Sequence, residues 1–130
     1  MKIKTSELTG PALDWAAVIA KGVKPSDIRI TRGRIYRWHR DEDGNLTNSY
    51  ETGPEFAPSK MWESGGPIIE RERLHLCPVT IDDVPAWHAW SDKHKKADQA
   101  DGPTPLIAAM RCFVASKLGD EVDVPEELMS

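Results

Sequence analysis

The stretch Gly102 to Pro125, GPTPLIAAMRCFVASKLGDEVDVP, decides the fold. Thr104 is an N-cap residue, and Pro105 follows at the first helical position, where a missing N–H costs nothing. From Leu106 to Leu118 there is no Gly or Pro and almost no charge. Leu106, Ala109, Met110, Phe113, Val114 and Leu118 recur at helical spacing, and Ile107, Ala108, Cys112 and Ala115 make the other side apolar too. Lys117 in the last turn suits the helix dipole, and Gly119 supplies the stop. The spacing predicts a helix over Thr104–Leu118 that the rest of the chain must cover.

Outward from this rod, Glu121 to Pro125 alternates and reads as an edge strand. On the N-terminal side Ala97–Gly102 is a polar linker. Ala86–Ala97 reads as a helix with Trp87, Trp90 and His94 on one face. Pro78–Pro85 is short and extended, and Pro67–Leu76 reads as a strand. Gly53–Gly66, with Pro54, Pro58, Gly65 and Gly66, reads as a long loop, a type usually functional or mobile in compact domains. Ile28–Arg40 predicts one or two strands broken at Gly33. The DEDGN turn at Asp41–Asn45 should return a strand from Leu46 to about Tyr50. Thr9 opens a helix to Lys21, ended by Gly22. Its small-residue face, Leu13, Ala16, Ala17 and Ala20, should pack on the C-terminal helix. Met1–Lys4 is a short strand with Ile3 inward. The expectation is a single α+β domain over residues 1–130, with two to three helices packed on a small, mainly antiparallel sheet.

A chain of 130 residues buries roughly two-thirds of its unfolded surface, enough for a core without staples. The net charge of −4 argues against nucleic acid as a partner of the surface as a whole. No apolar run approaches the roughly 20 residues of a membrane helix, and the N-terminus lacks the apolar core of a signal peptide. Cys77, at a strand end, and Cys112, in the apolar helix, read as reduced thiols of a cytosol-like compartment, with a Cys77–Cys112 disulfide as the minor alternative. Five tryptophans are many for this length, and at least two should serve core packing.

Three groups of residues can carry chemistry. The run Arg29, Arg32, Arg34, Arg37, His39, Arg40 is interleaved with Tyr36 and Trp38. On a strand Arg34, Tyr36 and Trp38 share one face. Such a pattern is either a phosphate-and-base contact or a solvated hairpin balanced by the acidic turn. In the segment Pro58–Pro67, the Gly65-Gly66 pair lets a backbone approach a ligand or form an anion-binding nest, and Trp62 can stack on a planar group. The bland alternative is a tight turn with Trp62 as a core plug. His75, His88 and His94 lack metal-site spacing, so no metal and no cofactor is expected. Neither Ser59 nor Ser64 has a nucleophile's context, and no matched acid and base stand out, so no catalytic residue is assigned.

Three blocks resemble the NinX-like family of tailed phages and prophages. They are Thr9-Gly10-Pro11-x-Leu13-Asp14-Trp15-Ala16, Pro58-Ser59-x-x-Trp62-x-x-Gly65-Gly66-Pro67-Ile68-Ile69-Glu70, and Gly102-Pro103-Thr104-Pro105-Leu106-Ile107-Ala108-Ala109-Met110-Arg111 through Gly119-Asp120-Glu121. The resemblance implies phage origin and expression in the cytoplasm of an infected or lysogenic bacterium, and it transfers no catalytic residues.

By association, phage accessory proteins of this size act on host defence or phage DNA metabolism. The first expectation is a non-catalytic counter-defence protein that sequesters a small nucleotide-type signalling molecule. Its binding residues would be Trp62, Ser59, Gly65, Gly66 and Pro67, with Arg37 or Arg111 on phosphate. The alternatives are an inhibitor docking on a host protein through exposed Trp and Arg, and a small nucleotide-acting enzyme. A homo-oligomer is expected, because a pocket in so small a domain is commonly completed by a second subunit.

Overall fold

The structure, a computed structural model, describes residues 1–37, 39, 40, 42–48, 55–93 and 98–128, and the side chains of all of these except 37, 39, 40 and 46–48. Its elements in chain order are β1 (Lys2–Lys4), α1 (Gly10–Ala20), β2 (Ile28–Thr31), β3 (Arg34–Arg37), β4 (His39–Arg40) and β5 (Leu46–Asn48). They continue with α2 (Trp62–Glu72), β6 (Leu74–Ile81), β7 (Val84–Ser91), β8 (Ala100–Gly102), α3 (Pro105–Leu118) and β9 (Glu121–Asp123). The fold is α+β, with three helices and small antiparallel sheets. None of these helices is long and apolar enough to cross a membrane.

Helix α3 is the hub, in contact with α1, α2, β6, β7, β8 and β9. It begins as the sequence predicts: the Thr104 hydroxyl accepts from Ile107 N–H at 3.1 Å, and Pro105 stands in the first turn. Its buried residues Leu106, Ala108, Ala109, Met110, Cys112, Phe113 and Val114 face more than one direction, as an all-round apolar pattern requires. On one side it packs on α1, whose Leu13, Ala16 and Ala17 are fully buried. There the sequence expectation is met: small residues let two helix backbones approach. Helix α1 ends at Gly22, whose φ is +92°, with Gly22 N–H donating to Ile19 O and Val23 N–H to Val18 O. On its other side α3 lies on the three-stranded sheet β6–β7–β8, through Ala108 and Cys112 against Ala89, Trp87 and Ala100. The approach is close enough that a Cβ on Gly102 would sit 2.7 Å from Ala108 N, so only glycine fits there.

Strand β9 pairs with β1, Lys2 opposite Asp123 and Lys4 opposite Glu121, and the Met1 ammonium reaches Asp123 Oδ1 at 2.8 Å. Strands β2 and β3 form a hairpin that turns at Arg32-Gly33, with Ile30 opposite the buried Ile35. Strands β4 and β5 pair around the expected turn, of which Glu42–Asn45 is described. Both cysteines are free thiols; Cys112 is buried, and Cys77 lies in the middle of β6 rather than at a strand end.

Besides Ala100–Gly102, which is strand β8 on the edge of the sheet in place of the end of the expected polar linker, two longer regions differ from the sequence expectation. The expected helix at Ala86–Ala97 is strand β7, antiparallel to β6 around a two-residue turn, Asp82 and Asp83, both at positive φ. Trp87 and Trp90 are three apart, which in a strand sends them to opposite faces. Trp87 packs toward α3 and Trp90 faces away. His94 and the end of that expected helix lie outside the described residues. The other difference is helix α2, which replaces the end of the expected Gly53–Gly66 loop and the start of the expected Pro67–Leu76 strand.

Candidate functional site

Helix α2 runs through Gly65, Gly66 and Pro67, three residues that locally discourage a helix. Packing overrides propensity here. A Cβ on Gly65 would stand 2.7 Å from both Leu106 Cδ2 and Pro58 O, so the helix can lie against α3 and the preceding turn only with glycine at that point. Gly66, lacking Cβ, relieves the clash that Pro67 imposes on the residue before it. Gly65, Ile68 and Glu72 form the buried side. Glu72 is held by Lys117 Nζ at 3.6 Å and Arg71 Nε at 3.1 Å, and its carbonyl accepts from the Ser91 hydroxyl. Gly65 and Gly66 are therefore not a loop nest: they are helical, and their expected role as a flexible backbone cradle is corrected.

The turn ahead of α2 is fixed from below. Ser59 is buried, and its N–H donates to Asp14 Oδ1 of α1 at 2.8 Å. The Ser59 hydroxyl is also bonded to this carboxylate. Burial raises the Asp14 pKa to about 6, against the lowering effect of the two Ser59 hydrogen bonds. Ala57 N–H reaches Ser64 Oγ at 3.4 Å, and Met61 N–H bonds Ala57 O. Ser59 is thus a structural tether rather than a ligand-facing group.

Trp62 opens α2 with 55% of its surface exposed, so it is neither a core plug nor wedged among aliphatic side chains. Gly66 follows one turn later on the same helix face, and a Cβ there would meet nothing within 4 Å. A helical side chain at that position would lean over the preceding turn, the one that carries Trp62. Its absence leaves bare helix backbone on the face that carries the indole. No side chain caps the helix N-terminus at this end. Pro67 is exposed on the adjoining surface.

Arg111 does not join this site. Its Nε donates to Leu8 O at 2.9 Å and its Nη1 to Asp101 O at 2.8 Å, which ties α3 to the segment before α1 and to β8. It lines a separate cleft of about 580 Å3, along with Lys4, Ser6, Asp101, Asp120 and Glu121, and no residue of α2 lines that cleft. Two cations face three carboxylates there, so the cleft offers a phosphate no net attraction. The other expected phosphate partner, Arg37, has its backbone in β3 opposite Ile28, and its side chain lies outside those described.

A feature that the sequence expectations lack lies on the outer face of β6–β7. His75, opposite Trp90 in register, stacks on it with ring centroids 5.0 Å apart and planes 8° apart, and His88 adds a third ring at 5.7 Å. Asp92 holds His75 at 3.1 Å; Asp101 holds His88 at 2.6 Å. The signal is the alternation in Trp87-His88-Ala89-Trp90, which a period-2 pattern places with His88 and Trp90 on one face. Among the described residues no three His, Cys, Asp or Glu side chains gather into a group able to hold a metal ion.

A family model described as Bacteriophage P22, NinX matches residues 4–117. No curated protein matches the chain.

Proposed function

From its membership of the phage P22 NinX family, we propose that this chain is a phage accessory protein acting in counter-defence, and that it binds and sequesters a small nucleotide-type molecule without turning it over. The observation that carries this reading is the pairing of Trp62 and Gly66: an exposed indole on the same helix face as bare backbone that no side chain covers. A base stacks on the indole, which is worth roughly 1–3 kcal/mol per base. The uncapped N–H groups at the start of α2 suit an anionic group of the same ligand. Because the site is open on one chain, a second copy completes it, making the working form a homo-oligomer; light scattering that finds monomer only, at all concentrations, rejects that part.

The test is calorimetry of the protein against cyclic mono- and oligonucleotides and NAD-derived nucleotides. Binding of one class is expected, with the ligand recovered chemically unchanged. Trp62→Ala and Gly66→Leu should each abolish binding, the first by removing the ring and the second by covering the bare backbone beside it. A blank result across the panel with folded protein refutes the reading.

A second reading, docking on a host protein as an inhibitor, is favoured by the β6–β7 turn, where Ile81 and Val84 are 40% and 60% exposed. It predicts a stable complex with one host protein that Ile81→Ser with Val84→Ser disrupts and Trp62→Ala does not.

A further inference from the structure

We infer that the outer face of the β2–β3 hairpin binds single-stranded nucleic acid through its arginines and Tyr36. Between Lys24 and Arg37 the sequence carries five cations and one carboxylate, Asp27, although the whole chain is net −4. The register sorts these residues. Ile28, Ile30 and Ile35 share one face, and Ile35 is fully buried beneath the hairpin. Arg29, Thr31, Arg34 and Tyr36 share the other, with Arg29 directly opposite Tyr36 and Thr31 opposite Arg34. The apolar face fixes the hairpin on the core, so Arg29 and Arg34 are exposed on its outer face beside the partly buried ring of Tyr36.

The turn supplies a second, independent observation. Arg32 and Gly33 both have positive φ, +53° and +74°, the pattern of a two-residue hairpin turn whose first position ordinarily holds Asn, Asp or Gly. An arginine there carries a steric cost that Asn would avoid. The hairpin does not need Arg32 to fold, so its presence points to what its side chain reaches. Arg32 and Arg34 are exposed, and neither has an ion-pair partner among the described residues.

Guanidinium groups spaced along a ribbon match successive phosphates of one strand, and a ring among them offers a face to one unpaired base. A duplex hides its base faces and leaves the ring without a role. The contacts are to phosphate and to a base face, which DNA and RNA share, so the occupant is a single strand of either.

The experiment is fluorescence anisotropy of labelled oligo-dT and oligo-U with the whole protein across a salt series. Wild type should bind both with affinity that falls as salt rises, by about 0.7 in log K per log salt for each phosphate neutralised. Arg32→Asn with Arg34→Ser, which preserves the turn, should flatten that slope by about 1.4. Tyr36→Leu should weaken binding about fivefold or more while leaving the slope unchanged. No anisotropy change at low salt, equal binding by the arginine double variant, or displacement of oligo-dT by polyglutamate at equal charge would each overturn the inference. Circular dichroism matching wild type excludes misfolding of the variants as the cause of a loss.

Discussion

Replacing Asp14 with asparagine should make this protein gain stability relative to wild type as pH rises, in a defined window. Asp14 is only 3% exposed and its carboxyl titrates at about 6, against an ordinary value of 3.8. The displacement is upward, so the fold prefers the protonated acid. Between the two values the folded chain holds a proton that the unfolded chain has released, and stability falls as pH rises through that window. Above about pH 6 both states are ionised and the loss is complete; below about pH 4 both are protonated and there is none. A tenfold difference in proton affinity between the two states corresponds to about 1.36 kcal/mol, so the full loss is at most about 3 kcal/mol. The amide of Asp14→Asn would keep an oxygen to accept the Ser59 N–H and has no proton to lose. Urea unfolding followed by tryptophan fluorescence measures both proteins. The difference, variant minus wild type, should rise by up to about 3 kcal/mol from below pH 4 to above pH 6. Using the difference removes the titration of every other group and any fixed cost of the amide. A difference that stays flat across this range, or one that falls, would show that the buried carboxyl is not charged against its surroundings as the geometry implies.

Neighbouring glycines of α2 should respond differently. Gly65→Ala must destabilise the fold, because its Cβ would lie 2.7 Å from Leu106 Cδ2 and Pro58 O, whereas a Cβ on Gly66 meets only the Pro67 ring next to it, so the gain of about 0.5–1 kcal/mol in helix propensity is offset by that local clash and Gly66→Ala should change stability far less; thermal melts of the two variants decide it. Thr104→Ala removes the bond to Ile107 N–H and should cost about 1 kcal/mol in the same assay. Burial, with the charge of Asp98 adding, raises the Cys112 thiol to about 11, so thiol titration of the native protein should modify Cys77 alone and reach Cys112 only after unfolding.

The parts of the fold legible in the sequence are those whose signals are local. Helix α3 announces itself by Thr104, Pro105 and Gly119, and α1 by its small face and Gly22, because caps and periodicity act within one element. Helix α2 is not legible, since Gly65-Gly66-Pro67 reads as punctuation and the force that makes it helical is contact with Leu106 and Pro58, distant or irregular in sequence. Strand β7 reads as a helix because Trp87, Trp90 and His94 fall at helical spacing by coincidence, while the alternating pattern that decides their faces spans only a few residues. The same limit governs the site. Trp62 and Gly66 are legible as an aromatic beside a bare backbone, but not that a helical turn brings them to one face. Arg111 reads as a phosphate partner because its true partners, two backbone carbonyls at Leu8 and Asp101, leave no mark in the sequence.

The three sequence blocks that resemble the family meet in space, and most of their distinctive residues are accounted for by packing. Asp14 of the first bonds Ser59 of the second, Gly65 of the second fits under Leu106 of the third, and Gly102 lies against Ala108 within the third. Arg111 ties the third block back to Leu8, just ahead of the first. These residues explain how the chain brings α2 onto α1 and α3, and they explain nothing about a ligand. Within the middle block that leaves Trp62 and Gly66. A half-exposed indole loses stability that burial would supply. Folding alone favours a different residue at Trp62, while Gly66, whose place before Pro67 suits the helix, leaves the same helix face bare one turn on. An exposed ring beside uncovered backbone, on a surface that the scaffold holds rigid, is the physical ground on which the proposed binding site rests.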